Sequence, residues 1–263
     1  MELTFLGTGT STGVPQLRCG CAACTSTDPH DRRLRASALL ETDGKRILID
    51  CGPDFHQQML LHGRRSADDR LDALLVTHQH YDHVGGIDDL RPYCYQADTV
   101  NAGFPVYCQW DVARDLRERL PYSFRKDPYP GAPRFDLREI EAFKPFVAAG
   151  VEVLPVRINH YILDMLGFRI GNLGYVTDAK EVPEKTVEAL RGVDTLVINA
   201  LRHKPHMSHL TLAEALEVIS EIKPRVAWLT HISHDMGPAA EVAPSLPANV
   251  ALAYDGLKIE IPD

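Results

Sequence analysis

The sequence lacks a long apolar run, a surplus of basic charge and an internal repeat, and each absence excludes a class of protein. No stretch of about 18 apolar residues occurs, so we expect no membrane span and no membrane partner. The first residues carry neither a basic segment nor a long apolar one, which predicts a cytoplasmic protein without a secretory signal. The formal net charge of −8 repels polyanions, so nucleic acid is not an expected partner.

Cysteines are sparse and basic clusters are short. Six cysteines in 263 residues are too few for a disulfide scaffold, so reduced thiols are expected. The longest basic cluster, Arg32, Arg33 and Arg35, is predicted to be a solvated surface run. No glycine- and arginine-rich arm of the kind that could hold an RNA occurs.

Short runs of β-branched and aliphatic residues are mixed with helical segments, and no linker divides the chain. We therefore expect one domain over residues 1–263, built from layered α/β sheets with mixed pairing. Asp43-Gly44 and Asp255-Gly256 each predict a hairpin, the second between residues 250–253 and 257–261. Further strands are predicted at residues 3–6, 37–41, 46–49, 71–76, 151–158, 174–177, 195–198 and 225–229, and helices at 53–62, 112–120, 183–190 and 212–222.

Four side chains that can bind metal occupy six residues directly after the apolar run 74–76. Side chains alternate at a strand end, so His78 and His80 can face one point. Asp82 and His83 follow where the chain turns towards two glycines, and they can face a second point close by. Imidazole and carboxylate favour zinc, manganese or iron over calcium. A histidine-rich surface loop is the alternative, but this spacing indicates two neighbouring metal ions.

Three later residues follow the same rule. His160, Asp178 and His231 each come just after an apolar run. Sites in layered α/β folds gather at strand ends, because the loops converge there. Each of the three alone would suit an ordinary polar loop, but together with the first string they complete two coordination spheres.

The string His-x-His-x-Asp-His, with a later His, Asp and His in that order, resembles the signature of the metallo-β-lactamase superfamily over most of the chain. The resemblance implies a four-layer αββα sandwich with a dinuclear metal site at the rim between its sheets. It assigns His78, His80 and His160 to one ion and Asp82, His83 and His231 to the other, with Asp178 bridging both. It also places Asp50 beside the site, where it would orient a ligand or its loop.

The opening of the chain is similar to that of PhnP-like phosphodiesterases, and related openings occur in ribonuclease Z. Residues 6–15, LGTGTSTGVP, precede Cys19, Cys21 and Cys24. Three thiolates at this spacing supply all but one ligand of a tetrahedral zinc site. The resemblance gives His234 as the fourth ligand of one structural zinc ion. Metal-free thiols and a Cys21–Cys24 disulfide are the alternatives.

The resemblance further implies catalytic roles for Asp82 and for His209, a histidine that binds no metal and assists the leaving group or a phosphate oxygen. The implied activity is that of a metal-dependent phosphodiesterase acting on small cyclic ribose or nucleotide phosphodiesters, with hydroxide held by two divalent ions of zinc, manganese or iron. The nearby His203 and His206 are interpreted as solvent-exposed. A homodimer is compatible with the sequence.

Other activities use the same ligands or the same fold. A ribonuclease Z-like tRNA 3′-processing nuclease would bind the same ions, but the acidic charge and the cysteine motif disfavour it. A thioester hydrolase or a β-lactamase would share the fold, but Asp82 and the PhnP-like opening disfavour a β-lactamase. A non-catalytic redox module of the flavodiiron type would need a flavin domain, for which 263 residues leave no room.

Overall fold

The computed structural model describes residues 1–64, 66, 69–96, 98–100 and 102–262, in which strands and short helices alternate. The strands are β1 (Glu2–Gly7), β2 (Ser37–Thr42), β3 (Lys45–Ile49), β4 (Ala73–Leu75), β5 (Phe104–Cys108), β6 (Phe135–Glu139), β7 (Phe146–Ala148), β8 (Val151–His160), β9 (Leu163–Ile170), β10 (Leu173–Val176), β11 (Thr195–Asn199), β12 (Val226–Thr230), β13 (Val250–Leu252) and β14 (Lys258–Glu260). The α-helices are α1 (Ala22–Thr25), α2 (Phe55–His62), α3 (Tyr81–Val84), α4 (Trp110–Arg119), α5 (Glu184–Leu190), α6 (Leu212–Ile222) and α7 (Ala239–Val242). None of the helices in these ranges is long and apolar enough to cross a membrane.

The strands form two seven-stranded sheets of mixed pairing. The first has the order β14-β1-β2-β3-β4-β5-β6, and the second has the order β13-β12-β11-β10-β9-β8-β7. Strands β3 to β6 run parallel, as do β10 to β13, and the remaining neighbours are antiparallel. The predicted hairpin at Asp43-Gly44 is confirmed: the two residues have φ of 50° and 71°, as a tight hairpin turn requires.

Alternation along the strands creates three apolar layers. In β3, Ile47 and Ile49 face the other sheet, whereas Leu48 faces the helices. Helices α2 and α4 cover the outer face of the first sheet, and α5 and α6 cover that of the second. Helix α6 begins at a capping box, in which Thr211 and Glu214 each accept a backbone hydrogen bond from the other. The predicted four-layer αββα sandwich is therefore confirmed.

The hairpin predicted around Asp255-Gly256 is wrong, although the turn exists. Strand β13 pairs with β12 in the second sheet, and β14 pairs with β1 in the first, so the turn carries the chain between sheets. The carboxylate of Asp255 fixes this crossing, because it accepts hydrogen bonds from the backbone N–H groups of Thr8 and Leu34 at 2.9 and 2.6 Å. These tertiary contacts outweigh local pairing of the two flanking strands.

The basic cluster is not a solvated run, because Arg33 is only 4% exposed. Its guanidinium donates to Oγ1 of Thr8 at 2.8 Å and to the carbonyl oxygen of Ala253 at 2.5 Å. Buried charge is stable only when it is paired and hydrogen-bonded, and the neighbouring Asp255 supplies the opposite charge. Arg33 thus ties the glycine-rich loop after β1 to the end of the chain, while Arg32 is exposed as expected.

Candidate active site

The predicted metal ligands lie at strand ends of both sheets. Residues 78–83 follow β4 and run into the short helix α3, while His160 is the last residue of β8. Asp178 and His231 follow β10 and β12, two parallel strands of the second sheet. Because parallel strands bring their carboxyl ends to one edge, all these residues meet at one rim of the sandwich.

Three residues at this rim have left-handed backbone conformations. Asp50, Asp178 and His231 come one or two residues after the ends of β3, β10 and β12, with φ of 60°, 54° and 53°. A non-glycine residue in this region costs on the order of 1–3 kcal/mol and persists where its surroundings enforce it. The sharp change of direction returns each side chain towards the rim instead of continuing the strand.

The seven predicted ligands form two adjoining groups. One group is His78, His80 and His160, and the other is Asp82, His83, Asp178 and His231; within each group the donor atoms lie within 4.8 Å of one another. Nε2 of His78 and Nδ1 of His80 are 2.9 Å apart. Oδ2 of Asp178 lies 3.1 Å from Nε2 of His231 and 3.9 Å from Nε2 of His78, so this carboxylate stands between the groups.

Asp50 is fully buried and reaches a ligand in each group. Its Oδ2 accepts from Nδ1 of His83 at 2.7 Å, which leaves Nε2 of that ring facing the other donors. Its carboxylate also accepts from the backbone N–H and the hydroxyl of Thr77, and that hydroxyl lies 3.0 Å from Nδ1 of His78. One carboxylate therefore orients His83 directly and His78 through Thr77.

Two groups support predicted ligands in a way that the sequence does not predict. Thr77 is one, and the backbone carbonyl of Ser208 is the other, because it accepts from Nδ1 of His160 at 2.7 Å. A hydroxyl next to a histidine is too common to be a signal, and a carbonyl is present in every residue. Both contacts orient ligand rings, and both depend on tertiary packing.

Asp82 and Asp178 have lowered pKa values despite their burial. Burial opposes the charge of Asp82, but the adjacent His83 and His231 hold its pKa below the usual range. The pKa of Asp178 is lowered by the same two histidines against the same opposition. Burial lowers the pKa of both His78 and His80, so these rings keep a free lone pair.

The surroundings of His83 suit a bound cation. Burial disfavours its charge, but Asp178, Asp82 and Asp50 raise its pKa well above the usual range. Its Nε2 is nevertheless buried without a hydrogen-bond partner in the described part of the chain. A divalent ion suits this position, because it would replace the proton and take the nitrogen lone pair. Binding there releases a proton, so affinity falls as the pH falls.

His209 lies against both groups. Its ring centroid is 4.7 Å from that of His160 and 4.8 Å from that of His231, and its Nδ1 lies 3.9 Å from Oδ2 of Asp178. That Nδ1 is buried with no hydrogen-bond partner among the described residues. Burial lowers the pKa of His209 to about 3, so the ring is neutral near pH 7.

The cysteine motif forms a separate cluster. Nδ1 of His234 lies 3.4 Å from Sγ of both Cys19 and Cys21, and the donor atoms of the cluster, with Cys24, lie within 4.8 Å of one another. All three cysteines are unpaired. Hydrogen bonds from the backbone at Cys24 and from His234 lower the pKa of Cys21 to about 6, which favours a thiolate. Three sulfurs and one imidazole are a donor set that suits zinc.

Known proteins resemble this chain in sequence and in fold. The chain matches the model of the beta-lactamase superfamily domain over residues 45–232. A diphosphatase from the PhnP family, known from its crystal structure, has 39% sequence identity to this chain. The two structures superpose with a TM-score of 0.89, over 98% of this chain and 96% of the diphosphatase. Zinc-bound PqqB from Methylobacterium extorquens shares the fold at 18% identity and a TM-score of 0.81, over 99% of this chain and 100% of that one.

An octanoyltransferase of Porphyromonas gingivalis is 44% identical over 260 residues. The match covers 98% of this chain but 51% of that protein, so the chain spans about half the length of this relative. The name octanoyltransferase belongs to a protein about twice as long as this chain.

Proposed function

Because this chain belongs to the metallo-β-lactamase superfamily of metal-dependent hydrolases, we propose that it is a phosphodiesterase acting on small cyclic ribose or nucleotide phosphodiesters. The carrying observation is the pair of adjoining donor groups, with Asp178 between them and His209 beside both. Two cations held side by side suit a phosphodiester, because they can contact its attacking and non-bridging oxygens together.

The residues have separate tasks. In this proposal His78, His80 and His160 would hold one divalent ion, Asp82, His83 and His231 would hold the other, and Asp178 would be within reach of both. Such ions, when bound, lower the pKa of water and neutralise charge on phosphate oxygens. Zinc, manganese and iron all suit these ligands. The cysteine cluster with His234 would hold a structural zinc ion, away from the reaction.

Asp82 and His209 act on the reacting oxygens. The ionised carboxylate of Asp82 accepts a hydrogen bond from the attacking water and orients it. As the bond from the water oxygen to phosphorus forms and the bond from phosphorus to the leaving oxygen breaks, the neutral ring of His209 donates a hydrogen bond to that leaving oxygen. The proton that the attacking water loses reaches the leaving alcohol through solvent. His209 can act in this way in its neutral form, so the ring need not gain a proton before the reaction.

Metal analysis combined with a phosphodiester panel tests the proposal. We expect about three ions per chain, either three zinc or one zinc and two manganese, and hydrolysis of 2′,3′-cyclic nucleotides. His209→Ala should retain the ions and lose about 100- to 1000-fold in kcat, since the hydrogen-bond donor to the leaving oxygen is removed. His203→Ala, on the exposed part of the same loop, is the matched control. A single bound ion, or loss of ions from His209→Ala, would contradict the assignment.

A tRNA 3′-processing nuclease is the second candidate, and salt dependence separates it from the first. Binding of tRNA through phosphate contacts weakens steeply with salt, whereas a small diester with one charge responds weakly. With its net charge of −8, we expect this chain to show no tRNA binding at about 150 mM salt. Cleavage of a tRNA precursor at that ionic strength would favour the nuclease.

A further inference from the structure

His206 lies one ring further out from the metal ligands than His209, on the loop between β11 and α6. The ring centroids of His206 and His209 are 5.1 Å apart, and His209 in turn packs against His160 and His231. His206 is half-buried, unlike the exposed His203 of the same loop. A molecule whose phosphate lay at the ligands and whose leaving oxygen met His209 would therefore extend towards His206.

Ser208 fixes which nitrogen of His206 carries the proton. The backbone N–H of Ser208 donates to Nδ1 of His206 at 3.3 Å, and its hydroxyl lies 3.2 Å from the same nitrogen. A backbone N–H can only donate, so Nδ1 is an acceptor and the proton of the neutral ring is on Nε2. The carbonyl of Ser208 accepts from Nδ1 of His160, so one residue fixes His206 relative to a metal ligand.

The donor on His206 is available to a ligand. Nε2 makes no hydrogen bond to any residue that the structure describes. Burial, and then the positive charge of Arg202, lower the pKa of His206, which keeps the ring neutral. The rim thus presents an oriented, neutral N–H group next to His209.

We propose that Nε2 of His206 donates a hydrogen bond to the leaving-alcohol portion of the substrate, and that His206 thereby selects phosphodiesters of sugars or nucleosides over smaller ones. The inference rests on the proposed phosphodiesterase function. It requires one hydrogen-bond acceptor on the substrate, a sugar oxygen or a base nitrogen, that lies beyond the oxygen contacted by His209. His206 is then a specificity residue, separate from the reacting centre.

Two substrates with the same reacting ring test this inference. Adenosine 2′,3′-cyclic monophosphate and ethylene phosphate are both five-membered cyclic diesters, but only the first carries a sugar and a base. We expect His206→Ala to lose roughly tenfold in kcat/KM on the nucleotide and less than twofold on ethylene phosphate, as removal of one hydrogen bond predicts. His206→Gln keeps an N–H donor and should recover part of the loss.

His203→Ala is the matched control, because His203 is exposed and its Nε2 lies 3.1 Å from the carbonyl oxygen of Met236. It should change neither rate, and all three variants should retain the metal content of the parent. An equal loss on both substrates would mean that His206 positions His209, and would overturn the inference. Unchanged rates on both would overturn it as well.

Product binding separates this inference from the proposed function. Adenosine 2′-monophosphate, which forms when the bond from phosphorus to O3′ breaks, and inorganic phosphate are titrated into the metal-loaded protein by calorimetry. We expect His206→Ala to weaken binding of the nucleotide roughly tenfold and to leave phosphate binding unchanged. Failure of the parent to hydrolyse either diester contradicts the phosphodiesterase proposal alone. A parent that binds both ligands equally, or neither, overturns the role of His206.

Discussion

A single buried carboxylate supports ligands of both donor groups. Asp50 holds His83 directly and His78 through Thr77, so its loss would loosen one ring in each group. The residues whose donor atoms meet at the rim could be predicted from the sequence, because histidine and aspartate at alternating positions have few other uses. Thr77 and the carbonyl of Ser208 could not, because their roles depend on contacts with residues distant in the chain.

Asp50→Asn should weaken metal binding in both groups by about 10- to 100-fold, the usual effect of losing such a support. Asparagine tolerates the left-handed backbone at this position, so the turn should survive. The measurement is metal affinity by competition with a chelator, with circular dichroism to confirm folding. Asp72→Asn is the control, because Asp72 is a buried carboxylate at the opposite end of β4. Equal weakening in both variants would show a general effect on stability.

At the scale of elements, the glycine-rich loop after β1 connects the end of the chain to the residue that follows His231. Thr8 donates to Asp255, and its carbonyl accepts from the backbone N–H of Ile232, the residue after His231. The strands flanking Asp255 could be predicted, but their partners could not. The turn signal is local, whereas the choice of sheet is made by the edge that each strand meets.

Asp255 should make stability depend on pH. Burial raises its pKa from 3.8 to about 6, so the folded chain binds this proton more tightly than the unfolded chain does. Its contribution to stability therefore falls as the pH rises from about 4 to 6, by about 3 kcal/mol, and is constant above that. Urea unfolding of the parent and Asp255→Asn across this range gives the difference directly. A difference that does not change with pH would show that this carboxyl titrates normally.

On the scale of the whole molecule, residues 1–139 build the first sheet except for its edge strand β14, and residues 146–252 build the second. The four-layer arrangement could be predicted because the ligand string is specific to one superfamily. The burial of Arg33 could not, because a run of arginines has the same sequence pattern whether it is exposed or enclosed. Its partners Thr8 and Ala253 come from opposite ends of the chain.

The cysteine cluster joins residues 19–24 to His234, so removing one thiol should release the N-terminal segment. Cys24→Ser is expected to lose about one zinc ion per chain, to lower Tm by about 5–10 °C and to expose residues 10–35 to protease. The ions held by the seven other donors should remain. Cys51→Ala, a buried cysteine outside the cluster, serves as the comparison. Unchanged zinc content in Cys24→Ser would mean that the cluster is not a metal site.

The division of the seven donors between the two sheets has a consequence for evolution. His78, His80, Asp82 and His83 come from the first half of the chain, and His160, Asp178 and His231 from the second. An ion bound among them would link the two halves, so loss of the metal would also weaken the contact between the sheets. A homologue that lost the metal ligands during evolution would therefore need additional apolar contacts between its two halves to keep the same stability.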